Sequence, residues 1–196
     1  MPGVTQTFIR RMTLTGTAEV LFDRYPGDNK TVLADPGQKL YLNATREVCL
    51  PTLNLLSFLT AQNTESAPKL CLDKRIYRTV CSALLASVAI TPSPLIPFLR
   101  DGQPIVFGEF DENDMDPISG MLVVRHVARL AKGIPNPKER PMLGLPWALQ
   151  ATIQVLPHPD LTEELIENLF VDGGMRLGIG TYRKAFGKFT FSWAAV

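Results

Sequence analysis

The residues best suited to chemistry lie near the end of the chain, in the segment 172–189. Five of its residues are glycines and four are cations. Glycine permits positive φ angles and lets another molecule approach the main chain closely. Arginine and lysine beside exposed backbone N–H groups form a surface that binds phosphate. The segment therefore predicts either a phosphate-binding loop or a glycine-rich turn that holds no ligand.

The rest of the chain offers few catalytic groups. His126 and His158 are the only histidines, and no nucleophile elbow, zinc-protease helix or Walker A loop occurs. The three cysteines, Cys49, Cys71 and Cys81, are odd in number and lack the Cys-x-x-Cys spacing, which argues against a disulfide framework and against structural zinc. We therefore predict no catalytic residue, no metal site and no cofactor.

Two groups of carboxylates leave one enzymatic alternative open. The run 109–116 holds five carboxylates and no cation, which is typical of a solvated loop tip or of a divalent-cation site. Its spacing does not match an EF-hand loop. Asp23, Asp28 and Asp35 follow the first predicted strand, and each could help a metal ion to cleave a phosphodiester. A metal-dependent ribonuclease that uses such loop aspartates is therefore an alternative hypothesis.

Composition limits the kind of partner. The chain has 196 residues, 45% of them hydrophobic, which suits one domain with a buried core. Its 20 basic and 19 acidic residues nearly cancel, so any nucleic-acid surface must be local. Arg10 and Arg11 interrupt the first residues, which excludes a signal peptide, and no apolar run is long enough for a bilayer. We expect a cytoplasmic protein without a membrane partner.

Apolar periodicity predicts the elements that must position the segment 172–189. In chain order they are a strand over 11–22, a short hairpin over 40–50, a helix over 51–62 capped by Thr52, a polar loop over 63–69, a helix over 75–88 with strand as an alternative from 88, a short strand within 98–107, a strand over 121–130, irregular chain over 132–146, a strand over 147–156, a helix from Asp160 with Gly173 as its C′ residue, and a strand over 186–193.

This order of elements predicts the fold. Without its loops the chain reads strand, helix, strand and then strand, helix, strand. We therefore predict an α+β fold, a ferredoxin-like βαββαβ (RRM-like) sheet with helices on one face and long loop insertions. A single domain over 1–196 is expected, with insertions at about 23–50 and 92–146.

Three features of the chain resemble one known family. The glycine-rich, basic run 173–183 is followed by Phe-Gly-Lys-Phe at 186–189 and a final strand. Residues 50–59 stand in the place of a hydrophobic-Pro-Gly-Ser-Ser-Leu-Lys-Gly helix start, with Thr52, Leu56 and Ser57 at the positions of glycine, lysine and glycine. The order strand, helix, glycine loop, strand over 147–193 is the third. Together they resemble the RAMP superfamily, the ferredoxin-like RNA-binding subunits of CRISPR-Cas effector complexes, and most nearly its backbone-subunit branch.

The resemblance implies a non-catalytic RNA-binding subunit of a CRISPR-Cas-type ribonucleoprotein that serves antiviral defence. It would bind a guide-type single strand of RNA and assemble with other protein subunits or with copies of itself. Backbone N–H groups of the glycine loop would contact phosphates, and Tyr182 and Phe186 could stack on bases. The predicted RNA-binding residues are Gly173, Gly174, Arg176, Gly178, Gly180, Tyr182, Arg183, Lys184 and Lys188.

A second alternative keeps the fold without the RNA. The chain would then be an interaction module, for instance a viral subunit mimic, that binds or inhibits such a complex and does not bind RNA itself. Loss of the helix-start lysine, replaced by Leu56, favours this hypothesis.

Overall fold

The computed structural model describes residues 3–28, 30–129 and 135–196. This part of the chain is a mixed α+β structure built from antiparallel sheets and four helices. The strands are β1 (Phe8–Gly16), β2 (Val20–Leu21), β3 (Cys49–Pro51), β4 (Val88–Thr91), β5 (Leu95–Arg100), β6 (Gln103–Pro104), β7 (Leu122–Arg129), β8 (Pro135–Leu143), β9 (Ala148–Val155) and β10 (Phe189–Ala195). The helices are α1 (Thr52–Thr60), α2 (Ala67–Cys71), α3 (Tyr77–Ser87) and α4 (Glu163–Arg176), with a 3₁₀ turn at Pro36–Lys39.

The strands form two sheets. In the larger sheet, β1 lies between β10 and β9 and is antiparallel to both. The far edge of β9 pairs with β4 through one half and with β5 through the other, and β5 also pairs with β3 and β6. The smaller sheet has the order β2-β8-β7. Two distant parts of the chain, β2 and the β7–β8 hairpin, therefore meet in one sheet.

Alternating burial separates the two faces of the larger sheet. Met12 and Leu14 of β1 are fully buried. Helix side chains cover this face, since the ring of Phe170 in α4 stacks on that of Phe191 in β10 at 4.6 Å. On the opposite face Thr13 pairs with Gln150 and Ser192. In the described strands β1, β9 and β10 that opposite face carries no aromatic side chain, so it offers no platform for stacking a base.

The prediction of irregular chain over 132–146 is wrong for its described part, because β8 pairs with β7 from Pro135 to Met142. The three prolines of β8, at 135, 137 and 141, have the same parity, so their missing N–H groups all lie on one edge. That edge faces β2, since the Pro141 carbonyl accepts the Phe22 N–H at 3.0 Å. The bonds to β7 are therefore intact. Residues 130 and 132–134 of the two predicted segments lie outside the described residues.

Most other predicted elements are confirmed with shifted ends. The hairpin over 40–50, the helices over 51–62 and 75–88, and the strands over 121–130, 147–156 and 186–193 have counterparts in the structure. The predicted strand over 11–22 is interrupted after Gly16, and its end, β2, joins the smaller sheet. Part of the predicted polar loop over 63–69 is helical, as α2. Thr52 is not the cap of α1; Pro51 is, and the Thr52 hydroxyl donates to the Pro92 carbonyl at 2.7 Å.

None of the helices in the described ranges combines the length and the apolar character needed to cross a membrane.

Candidate nucleic-acid interface

Helix α4 extends further than its sequence predicts. It begins after Thr162, whose hydroxyl accepts the Leu165 N–H at 3.0 Å, so the predicted start at Asp160 is wrong. It then continues through Gly173 and Gly174 to Arg176, so Gly173 is not the C′ residue. Glu163 and Glu164 in its first turn and Arg176 in its last turn interact favourably with the helix dipole.

Gly173 and Gly174 pack the end of α4 against the core. A Cβ at Gly173 would lie 2.5 Å from Ala67 Cβ and 2.7 Å from Phe58 Cζ, and one at Gly174 would lie 2.7 Å from Phe189 Cε2. Both glycines are buried. Their absent side chains therefore permit close packing between elements of this protein, and their backbone is not presented to a ligand.

Several backbone N–H groups of the terminal loop, residues 177–188, donate to acceptors within the protein. The Gly178 N–H donates to the Gly173 carbonyl at 3.2 Å, and the Gly180 N–H donates to Asn54 Oδ1 at 3.1 Å. Four further N–H groups, those of Ile179, Thr181, Lys184 and Gly187, donate to the carbonyls of Gly187, Leu21, Leu177 and Glu19 respectively. The N–H groups of Gly178 and Gly180 therefore have acceptors within the protein, and the contact of this loop with phosphate, which stays a prediction, depends on its side chains.

Asn54 joins the terminal loop to the start of α1. Its side-chain amide also donates to the Gly180 carbonyl, at 3.4 Å. Gly180 has φ +77°, and a Cβ there would lie 2.9 Å from the Leu21 carbonyl oxygen, so the position requires glycine. The helix start and the glycine loop, the two segments that carry the family resemblance, are thus in direct contact. Sequence reasoning missed Asn54, because nothing local marks an asparagine that bonds to a residue so far along the chain.

The four predicted cations differ in their surroundings. Arg176 is exposed in the last turn of α4, and Lys188 is half-buried. Lys184 Nζ lies 3.5 Å from Glu65 Oε1, and both side chains are largely exposed, so this ion pair adds little stability. Arg183 is half-buried, and that burial lowers the pKa of its guanidinium while the nearby Glu65 carboxylate opposes the shift.

Arg183 is the unusual cation. Within the described ranges its side chain has neither a hydrogen bond nor an ion pair. It lies between Tyr182 (φ 56°) and Lys184 (φ 76°), two non-glycine residues in the left-handed region. Each such residue costs roughly 1–2 kcal/mol of backbone strain. Arg183 is therefore a partly desolvated guanidinium on a strained stretch of backbone, with the Glu65 carboxylate as its charged neighbour.

An aromatic cluster connects the terminal loop to the β7–β8 hairpin. The His126 ring of β7 lies 5.5 Å from the Phe186 ring, edge to face, and 6.3 Å from the Tyr182 ring. Arg140 of β8 has its Cζ 5.9 Å from the Tyr182 ring centroid. Its Nε and Nη2 donate to Asp23 Oδ2 at 3.1 and 3.0 Å. Sequence reasoning missed Arg140 because it lies in the stretch predicted as irregular. The sequence did contain one indication of a strand, since the prolines at 135, 137 and 141 are all at odd-numbered positions and so place their missing N–H groups on one edge.

The loop aspartates have separate structural roles. Asp23 pairs with Arg140. Asp28 accepts the N–H groups of Lys30 and Thr31 and the Thr31 hydroxyl, and these hydrogen bonds lower the pKa of Asp28. Asp35 caps the 3₁₀ turn by accepting the Gly37 N–H at 2.9 Å. Across the residues that the structure describes, no three His, Cys, Asp or Glu side chains are grouped to hold a metal ion.

The acidic run 109–116 is a structured loop. Asp116 is fully buried and accepts the N–H groups of Gly108, Ile118 and Ser119 and the Ser119 hydroxyl. Burial raises the pKa of Asp116, but these hydrogen bonds outweigh it and leave the pKa below its usual value. Asp114 pairs with Arg125 at 3.0 Å. Asp111 accepts the N–H groups of Asn113 and Met115 at 2.8 and 3.0 Å, so three of the five carboxylates are engaged in holding the loop together.

A cavity of about 670 Å³ lies between the loop after β2 and the β7–β8 hairpin. Its charged lining residues are Asp23, Arg24, Asp28, Lys39, Arg125, Lys138 and Glu139. Lys39 Nζ already donates to the Glu139 carbonyl at 2.5 Å. Because cations and carboxylates are mixed in this lining, the cavity does not define a site for an anion.

No family model matches the chain, and no curated protein matches it significantly.

Proposed function

We propose that the chain has the ferredoxin-like (RRM-like) plan of the RAMP superfamily. The strand order β10-β1-β9-β4, with every neighbour antiparallel, supports this proposal. In it β1 and β4 are joined through α1–α3, and β9 and β10 through α4, so each connection passes over one intervening strand. Two interleaved βαβ units have this pattern. Of the remaining strands, β2 (Val20–Leu21) precedes the first insertion, and the others lie in or at the ends of the insertions at about 23–50 and 92–146.

We infer that the protein is a non-catalytic RNA-binding subunit of a CRISPR-Cas-type ribonucleoprotein, in antiviral defence. The observation that carries this inference is Arg183, a half-buried guanidinium without a hydrogen-bond or ion-pair partner among the described residues. Partial burial disfavours the charged guanidinium, as the lowered pKa of Arg183 indicates, and a phosphate oxygen would supply both the charge and the acceptors that guanidinium prefers. Arg176 and Lys188 add positive charge along the same segment.

The proposed partners are a guide-type single strand of RNA and other protein subunits or copies of the chain. The exposed carboxylates Glu109, Asp111 and Glu112 could face the basic terminal loop of a neighbouring copy, since opposite charges steer association. We do not extend the proposal to metal-dependent cleavage, because the loop aspartates are used in local structure as described above.

RNA binding by the purified, nucleic-acid-free protein tests the proposal. The probe is a fluorescein-labelled single-stranded RNA of about 12 nucleotides, read by anisotropy. Three phosphate contacts predict a roughly 20-fold loss of affinity between about 50 and 200 mM salt. Arg183→Gln, combined with Arg176→Ala, should weaken binding and flatten the salt dependence. Arg75→Ala, an exposed arginine before α3, is the matched control and should change neither. Absence of RNA binding at the lower salt concentration would contradict the proposal.

The interaction-module hypothesis has its own supporting observation. The Gly178 and Gly180 N–H groups have protein acceptors, and Lys184 has a carboxylate neighbour, so much of the terminal loop is complete without RNA. A protein of this kind would bind other subunits without binding RNA. A pull-down that recovers protein partners from nuclease-treated extract, together with no anisotropy change on adding RNA, would favour this function.

A further inference from the structure

We propose that the β7–β8 hairpin and the terminal loop together bind one unpaired RNA base, with Tyr182 as the stacking platform and Arg140 and His126 as its polar contacts. This inference rests on the proposed RNA-binding function and adds two hairpin residues to it.

The first observation is a pair of buried nitrogen atoms without partners. Arg140 is 6% exposed, and its Nε and Nη2 are occupied by Asp23. Its Nη1 is buried and has no acceptor among the described residues. The Nδ1 atom of His126 is in the same condition. Buried polar atoms are almost always hydrogen-bonded, so two buried nitrogen atoms without a partner in one cluster indicate that a ligand supplies the partner.

The second observation is that the two side chains with these unpartnered nitrogen atoms lie beside the same ring, that of Tyr182. The register of the hairpin pairs His126 with Lys138 and Val124 with Arg140, which places His126 and Arg140 on one face as diagonal neighbours. Both side chains contact the Tyr182 ring, at 6.3 and 5.9 Å. The Tyr182 side chain is nevertheless 50% exposed, and its backbone is held at φ 56°. The ring is thus supported from within the protein and remains open to solvent.

The chemistry of this site fits a base better than a phosphate. Asp23 already neutralises Arg140, so the site does not require an anion. A base offers a flat surface for stacking on Tyr182 and an edge that carries a carbonyl or ring-nitrogen acceptor for the Arg140 Nη1–H group. The same edge carries a donor or an acceptor for His126 Nδ1, which can take either role. An apolar side chain from a protein partner would stack but would leave both nitrogen atoms unpaired.

Two probes of equal charge separate base binding from phosphate binding. They are fluorescein-labelled oligouridylate of about 12 nucleotides and its abasic ribose-phosphate counterpart. We expect the wild-type protein to bind oligouridylate about 5- to 100-fold more tightly. Tyr182→Phe should keep this preference because it keeps the ring. Tyr182→Asn should abolish it, and asparagine tolerates the left-handed backbone.

The possible results distinguish this inference from the proposed function. Salt-dependent binding of both probes with equal affinity would overturn the base site and leave the RNA-binding function standing. Binding of neither probe would overturn both. Because the comparison of the two probes needs only the wild-type protein, a variant that fails to fold would not prevent a decision.

Discussion

Gly173→Ala is the sharpest test of how α4 ends. In an exposed helix interior this substitution normally stabilises a protein by about 1 kcal/mol, because alanine loses less conformational entropy than glycine. At Gly173 the new methyl group would lie 2.5 Å from Ala67 Cβ and 2.7 Å from Phe58 Cζ. Both neighbours are fully buried, so neither can move without disturbing the core.

The balance of these two effects gives the expected sign. Forcing one extra methyl group into a well-packed core costs about 1–3 kcal/mol. The 2.5 Å approach to a fully buried neighbour places Gly173 in the upper part of that range, about 2–3 kcal/mol, so after subtraction of about 1 kcal/mol of helix-propensity gain the free energy of unfolding should fall by about 1–2 kcal/mol. For a chain of this size that corresponds to a melting temperature about 2–8 °C lower.

Urea unfolding monitored by circular dichroism measures the change. Gly144→Ala is the matched control, because a Cβ at Gly144 meets nothing within 4 Å and its φ is not positive. This control should leave the free energy of unfolding unchanged or raise it slightly. If Gly173→Ala were as stable as wild type, the packing of α4 on Phe58 described above would be incorrect, and a flexible glycine loop would be the better description.

Three further predictions concern buried polar groups. Asp116→Ala should lower the free energy of unfolding by about 3–5 kcal/mol, because it removes the acceptor for three N–H groups and the Ser119 hydroxyl at once. Since the pKa of Asp116 is lowered in the folded protein, its contribution to stability is complete above the ordinary carboxyl pKa and is lost as the pH falls below it. Urea unfolding at a series of acidic pH values should therefore show a shallower decline for Asp116→Asn than for wild type, and parallel declines would contradict this account. Asn54→Ala should cost about 1–2 kcal/mol, because it leaves the Gly180 N–H without its acceptor; an unchanged urea midpoint would show that this link is unimportant. Burial raises the pKa of Cys49 to about 11, so iodoacetamide at neutral pH should not modify Cys49 in the folded protein but should do so in urea, as mass spectrometry of tryptic peptides can establish.

The strands with one buried face were readable from the sequence. Met12 and Leu14 in β1, and Leu149 and Ile153 in β9, alternate with polar residues because one side of the sheet packs on helices and the other does not. Strand β8 was not readable in this way. Its prolines are compatible with a strand only because their missing N–H groups lie on the edge that is not bonded to β7, and the sequence does not state which edge of a strand will be paired.

The sequence by itself determined which segment, 172–189, concentrates glycine and positive charge, because residue type and spacing are local properties. Only the tertiary structure decided what those residues do. Gly173 packs closely against Phe58, and the Gly180 N–H donates to the Asn54 side chain. Within the described residues the Arg183 side chain has no hydrogen bond, and the Arg140 guanidinium lies over the Tyr182 ring although it belongs to a distant hairpin. Whether a donor is satisfied or left for a ligand depends on partners far away in the chain, and a local pattern cannot contain that information.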